Sequence, residues 1–269
     1  MKRSQTINHL INQLVSKVVN AKTKRQIDTL IATFYKALDG FTVAYKKELI
    51  KEATSRAMKL GLSKQEAIRI SHLRNIISSR YDKNGKMIRT ALDMVEAFNS
   101  VPKNVTKDAK SVIIAWQMET DKYLDLGKLM LDAGVARKAD RNYELLTRNW
   151  NLQVDNDARL ELIADDVPIR YIAQEDEENR SDVCHQLHGT IWLNKSQIPE
   201  WAKPLIHLNC KCKLVSQDDV ENVTITVKGI REGRRCTKPK WLKSGQSISR
   251  IKKVKGECAY TYSTTRIKK

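Results

Sequence analysis

Asp182-Val183-Cys184-His185-Gln186-Leu187-His188-Gly189 and Pro204-Leu205-Ile206-His207-Leu208-Asn209-Cys210-Lys211-Cys212 carry three of the five cysteines and three of the five histidines of the chain. Thiolates and imidazoles are costly to bury and reactive when exposed, so this density needs a reason. A tetrahedral zinc site is one: it gathers four Cys or His ligands, with Zn–S distances of about 2.3 Å. His207-x-x-Cys210-x-Cys212 offers three ligands on one short turn, and Cys184 is the natural fourth. His188, one helical turn beyond Cys184, competes for that place. Two other fates stay open for the same residues: buried thiols without a metal, and a disulfide from Cys184 to Cys210 or Cys212. Cys-x-Cys is less usual for zinc than Cys-x-x-Cys, because ligands so close together strain the chelate.

Outward from these motifs the texture is that of short strands. Ile169-Arg170-Tyr171-Ile172-Ala173, Thr190-Ile191-Trp192-Leu193 and Lys213-Leu214-Val215 each read as one. Val223-Thr224-Ile225-Thr226-Val227 and Ala259-Tyr260-Thr261-Tyr262-Ser263 alternate apolar and polar residues and predict two more, joined by a loop rich in Gly, Lys and Arg.

The first two-thirds of the chain reads as helix. Leu10, Ile11, Leu14, Val15, Val18 and Val19 recur at helical spacing, as do Ile27, Leu30, Ile31, Phe34 and Leu38. Gly40 predicts a helix end before a further helix over 45–60. Gly61 predicts a C-terminal cap, and Ser63-Lys64-Gln65-Glu66 a capping box opening the next helix. Asp82-Lys83-Asn84-Gly85 reads as a turn, since the later ligands of a calcium loop are missing. Further helices are expected over about 86–99, 106–133 (opened by Thr106 and closed near Gly134) and 139–163, with a break at Pro168.

The fold expected is therefore α+β: a helical region over 1–135, a small α+β module with the Cys/His cluster over 136–218, and a basic β-containing tail over 219–269. No run of apolar residues approaches the eighteen or so that a membrane span needs, and no cleaved signal peptide is indicated. An odd number of cysteines without a secretion signal favours free thiols or a metal over a closed set of disulfides.

Charge singles out the tail. The formal net charge is +18, and residues 222–269 hold fourteen Lys or Arg against two acids. Residues 161–182 run the other way, with Glu161, Asp165, Asp166, Glu175, Asp176, Glu177, Glu178 and Asp182. A polyanion partner for the tail and a protein partner for the acidic segment follow from this split. Arg234, Arg235, Lys238, Lys240, Lys243, Lys252 and Lys253 surround Trp241, a mixture suited to neutralising phosphates and stacking on bases.

The pairing of Cys-x-x-Leu-x-Gly, here Cys184, Leu187 and Gly189, with Pro-x-x-His-x-x-Cys-x-Cys, here Pro204, His207, Cys210 and Cys212, resembles the phage Mu F-like family of minor capsid, or head morphogenesis, proteins of tailed bacteriophages. That family's second motif usually reads Pro-x-x-His-Pro-x-Cys-Arg-Cys; Leu208 and Lys211 depart from it. His188 stands where the first motif usually has aspartate. Arg148, Asn156, Ala158 and Arg159 sit about where the family's preceding helix would place its residues, and Tyr171 would stand for a strand Trp. The Thr-Glu pair of that helix is absent. The resemblance spans about residues 140–215, so the N-terminal helices and the tail inherit nothing from it. It implies a virion protein, made in the host cytoplasm and acting inside the capsid near the portal vertex, that aids head assembly and contacts packaged double-stranded DNA. Gly189 and Pro204 then serve structure, one permitting a tight turn and the other presetting the approach to the His-Cys-Cys turn.

Three rival readings compete. Cys184 with His188 or His207 could form a nucleophile and base, but no orienting third residue accompanies them, and a non-enzyme is expected. A zinc-containing nucleic-acid-binding regulator with a basic arm is the main alternative; it would select a sequence, whereas a capsid protein would not. A purely architectural adaptor would use its helices to grip a portal, a capsid ring or sister copies. Trp116 and Trp150 are expected in the core, and Trp201, between Pro199 and Pro204, at an interface.

Overall fold

The computed structural model describes residues 3–72, 76–81, 87–119, 124–173, 182–203, 206, 210–228, 230–232, 235–237, 248–254 and 257–268. Seven helices are described: α1 (Arg3–Val19), α2 (Lys24–Lys59), α3 (Lys64–Ser71), α4 (Met94–Met118), α5 (Leu126–Asp132), α6 (Val135–Leu162) and α7 (Asp182–Leu187). Ten strands are described: β1 (Ile76–Tyr81), β2 (Met87–Leu92), β3 (Ile169–Ile172), β4 (Ile191–Trp192), β5 (Lys213–Ser216), β6 (Val220–Lys228), β7 (Ile230–Glu232), β8 (Arg235–Thr237), β9 (Ile248–Val254) and β10 (Glu257–Ile267). The fold is α+β, helical through its N-terminal region. No helix among the described residues is long and apolar enough to cross a membrane.

Helix boundaries differ from expectation in three places, each for a local reason. Gly40 does not end a helix, and α2 runs on to Lys59. Ile31, Phe34, Leu38, Thr42, Leu49 and Ala53 form one buried stripe across the glycine, while Gly40 itself is exposed. A glycine within a helix costs roughly 1 kcal/mol relative to alanine, less than the burial on either side of it gains.

Met87–Leu92 is a strand paired with β1, not the start of a helix. Asp93 fixes the true start of α4: its Oδ1 accepts hydrogen bonds from the N–H groups of Val95 at 2.8 Å and Glu96 at 3.0 Å. The Asp82–Gly85 turn lies outside the described residues. Thr106 opens nothing either; it sits within α4, whose buried Met94, Phe98, Val101, Val105, Ala109 and Ile113 carry the helix through it. Asp125 then caps the separate α5, donated to by the Gly127 N–H at 2.7 Å.

Other signals stand where they were read. Gly61 has φ +115°, and Leu62 N–H bonds back to the Ala57 carbonyl at 3.3 Å, closing α2. Ser63 and Glu66 cap α3 reciprocally, Ser63 N–H donating to the Glu66 carboxylate at 2.9 Å and Glu66 N–H to Ser63 Oγ at 3.4 Å. Those Ser63 bonds hold the Glu66 carboxyl below the usual carboxylate range.

The chain divides into two compact units. One comprises Met1–Ser55, Ser71–Asn75 and Leu92–Asn151; the other comprises Arg56–Ile70, Ile76–Ala91 and Leu152–Lys269. Each collects segments distant in sequence.

The first unit is built around an aromatic core. Phe41, Tyr45, Phe98, Tyr143 and Trp150 contact one another with ring centroids 5.5–6.5 Å apart. The Tyr143 and Thr42 hydroxyls lie 2.5 Å apart, and Thr42 Oγ1 also donates to the Leu38 carbonyl at 2.8 Å. Burial pushes the Tyr143 phenol up to about 12. At the rim Arg3 pairs with Asp140 and donates to Tyr45 Oη at 3.2 Å. Trp150 belongs to this core, and Trp116, half-buried, donates Nε1–H to the Leu124 carbonyl at 2.9 Å.

The second unit contains the sheets. β3 pairs antiparallel with β4 and β5 in the order β4-β3-β5; β10 lies between β6 and β9, antiparallel to both; β7 and β8 form a two-stranded sheet, as do β1 and β2. Ion pairs tie its helical segments, Arg56 to Asp155 at 3.1 Å and Arg69 to Glu161 at 2.8 Å. Glu175–Glu178, the densest part of the acidic segment, lies outside the described residues.

Candidate metal centre

The end of α6, strand β3, helix α7 and the run into β5 meet at the cysteines. Cys184 sits on α7 with Val183 and Leu187 buried beside it, and Cys184, Cys210 and Cys212 are each no more than 1 % exposed. Cys210 and Cys212 share an inward side through alternation: Lys211 and Lys213 between and after them are exposed, while Leu214 is buried. That is the period of an extended chain rather than of a tight turn, and it continues into β5. Extended geometry is what lets two ligands one residue apart reach the same point.

The three sulfurs lie within 4.8 Å of one another, and no disulfide joins them. A tetrahedral zinc with Zn–S of about 2.3 Å would separate its sulfurs by about 3.8 Å, so small adjustments bring the three into a first coordination shell. The donor set is soft and anionic when deprotonated, the chemistry that selects zinc over hard cations. His207, the expected fourth ligand, lies outside the described residues, as does Pro204.

Without a metal the Cys212 thiol is held protonated. Hydrogen bonds with Cys184 and Cys210, and then burial, push the Cys212 thiol far above the ordinary thiol range. Tyr171, fully buried on β3, points its hydroxyl at Cys184 Sγ, 3.8 Å away. Burial, followed by the three neighbouring cysteines, raises its phenol well above the usual value.

The surrounding polar contacts hold the cysteine-bearing segments in place. Asn156, buried on α6, donates Nδ2–H to the Leu152 carbonyl at 2.9 Å and to the Cys212 carbonyl at 3.3 Å. The Tyr171 carbonyl accepts from Gly189 N–H at 2.9 Å, and Tyr171 N–H donates to the Thr190 carbonyl at 2.9 Å. Gly189 has φ +83°, the left-handed turn expected of it.

His188 has other work: its Nδ1 accepts from the Ala173 N–H at 3.1 Å. A neutral ring accepting at Nδ1 carries its proton on Nε2, which leaves no lone pair for an ion. Among the described residues the potential ligand cluster is therefore Cys184, Cys210 and Cys212. The His188 contact was not legible in the sequence, where its spacing from Cys184 suggested only a ligand.

Replacing Asn156 with leucine is expected to strand the Cys212 carbonyl in a buried setting. A destabilisation of about 1–3 kcal/mol should follow, with zinc affinity reduced about tenfold or more. Urea melts and competition against a zinc-binding dye would check this, and unchanged values in both would remove Asn156 from the support of the site.

Of the residues expected to bind nucleic acid, Arg234, Lys238, Lys240, Trp241 and Lys243 lie outside the described residues. Arg235 opens β8, and Lys252 and Lys253 lie on β9. The two cysteines away from the cluster, Cys236 and Cys258, fall on β8 and β10. No family model, no curated protein and no solved structure matches the chain.

Proposed function

We propose that the chain is a minor capsid, or head morphogenesis, protein of a tailed bacteriophage. It acts inside the capsid near the portal, with a zinc-stapled module and non-specific contacts to packaged DNA. The observation that carries this is the convergence of the residues on which the resemblance rests. Asn156, Tyr171, Cys184, Gly189, Cys210 and Cys212 meet in one small assembly, although Asn156 and Cys212 lie 56 positions apart. Such motifs scattered by chance would have no reason to share contacts.

Burial argues against an enzyme. A nucleophilic cysteine needs access to its substrate, whereas Cys184, the candidate nucleophile, is 1 % exposed. Three thiols pressed together suit a structural ion, which folds a module whose own core is small. The +18 charge suits a dense polyanion bound through its backbone, with no sequence to read.

The test is proteomic. Particles produced by the phage or induced prophage that encodes the chain should contain it at a few copies per head, and its absence from both proheads and mature heads would overturn the proposal. Selection from a random duplex library discriminates the regulator: a sequence enriched about a thousandfold or more over non-specific DNA would favour that alternative.

A further inference from the structure

A fully buried phenol faces the three sulfurs, and strand register puts it there. β3 is the middle strand of its sheet, and Tyr171 pairs with Leu214 on β5. Paired residues share a face, and alternation from Leu214 back through Cys212 to Cys210 keeps both thiols on that same face. Backbone bonds fix Tyr171 from both sides: its N–H donates to the Thr190 carbonyl and its carbonyl accepts from the Gly189 N–H, each at 2.9 Å. Its hydroxyl then ends 3.8 Å from Cys184 Sγ on α7.

A phenylalanine would fill nearly the same volume with no polar atom to place, so the hydroxyl needs a reason. A buried O–H without a good acceptor is costly. A neutral thiol is a weak acceptor, which suits the long contact seen here. A thiolate is a strong one, since hydrogen bonds to an ionised group are roughly twice as strong as those between neutral groups. The site in turn needs a donor. Three thiolates around a divalent cation carry a net negative charge, in a place where each cysteine is no more than 1 % exposed. Such a charge persists only where hydrogen bonds compensate it. Lys211 and Lys213 do not supply them, being exposed on the other side of the segment.

We infer that Tyr171 is a positioning residue of the metal centre, its hydroxyl donating a hydrogen bond to the Cys184 thiolate and so favouring the metal-loaded form over the empty one. The inference rests on the zinc-stapled module proposed above and deepens it. It separates two kinds of support for the cysteines: Asn156 anchors the backbone at Cys212, whereas Tyr171 acts on the charge at Cys184.

The experiment compares Tyr171→Phe with the parent in the full chain, loaded with zinc and then with cobalt(II) as a spectroscopic stand-in. Zinc affinity, from competition against a chelating dye, should fall about 10–100-fold. The sulfur-to-cobalt charge-transfer band should move to longer wavelength, because a thiolate that loses a hydrogen bond gives up electron density more readily. The melting temperature should fall in the zinc-loaded form and stay nearly unchanged in the chelated form. Tyr143→Phe removes another fully buried hydroxyl, in the other unit, and should alter neither zinc affinity nor the cobalt band. If Tyr171→Phe lowered both melts equally and left affinity and band unchanged, the hydroxyl would be a packing feature and the inference would be overturned. In the parent itself, zinc loading should lower the intensity ratio of the tyrosine Raman doublet, the signature of a phenol that becomes a stronger donor. An unchanged doublet would overturn the inference even if Tyr171→Phe did not fold. A parent that binds neither zinc nor cobalt would overturn the metal centre itself, a result distinct from a loss confined to the variant.

Discussion

Zinc removal is expected to reverse the sign of the protein's pH dependence. In the metal-loaded form the cysteines are thiolates, so acid competes with the ion and stability falls as pH drops below neutrality. In the chelated form Cys212 is a buried neutral thiol whose folded pKa lies far above its unfolded value, through its bonds with Cys184 and Cys210 and through burial. A group raised in this way contributes stability in full below its unfolded pKa, near 8.5 for a cysteine, and loses it as pH climbs toward the folded value. Above about pH 8.5 the unfolded chain ionises and the folded one does not, costing about 1.4 kcal/mol per pH unit for that group. Thermal melts from pH 6 to 10, with and without chelator, should therefore slope oppositely. Chelation near pH 7.5 should also lower the melting temperature by many degrees, since structural zinc sites contribute of the order of 10 kcal/mol in small modules. Melts that coincide with and without chelator would mean that no metal staples the module.

Phe98→Ala should cause the largest loss of stability from a single substitution in the first unit. Phe98 is fully buried, with its ring 6.3 Å from Tyr143 and 6.5 Å from both Tyr45 and Trp150. Truncation of a buried phenylalanine removes its transfer free energy and leaves a cavity, about 3–5 kcal/mol in all. The neighbouring rings are themselves fixed, Tyr143 by Thr42 and Tyr45 by Thr147 at 2.9 Å, so they cannot readily collapse into the space. Chemical denaturation followed by tryptophan fluorescence measures the loss, and a value below about 1 kcal/mol would show that the cluster relaxes. Zinc stoichiometry should be unchanged, because the ligands belong to the other unit.

How far the sequence could be read depended on how local each signal was. Gly61, Ser63 with Glu66, and Gly189 announce their conformations within a few residues, and all three stand as expected. Gly40 misled because the stripe that overrides it extends from Ile31 to Ala53, longer than the glycine's own influence. The strand at Met87–Leu92 was taken for helix because pairing with β1, not its own composition, makes it a strand. β9 went unread for the same reason: Ser249, Arg250, Lys252 and Lys253 look like a basic loop until β10 supplies its partner. The three cysteines were legible as candidates for one site, but not which contacts orient them. The bonds from Asn156 to Cys212 and from Ala173 to His188 join segments 56 and 15 residues apart, and no spacing rule encodes them.

The in-and-out rhythm from Cys210 to Leu214 makes the length of this segment less forgiving than its chemistry. Serine at Lys211 would alter little, since that side chain faces water. One residue inserted between Cys210 and Cys212 would advance the chain by about 3.3 Å and exchange its two sides. Cys212 would swing out to solvent, a lysine would be driven toward the sulfurs, and β5 would meet β3 with its apolar residues on the wrong side. Drift in this protein should therefore accumulate freely as replacements at alternate positions here, while a single-codon insertion or deletion would be eliminated.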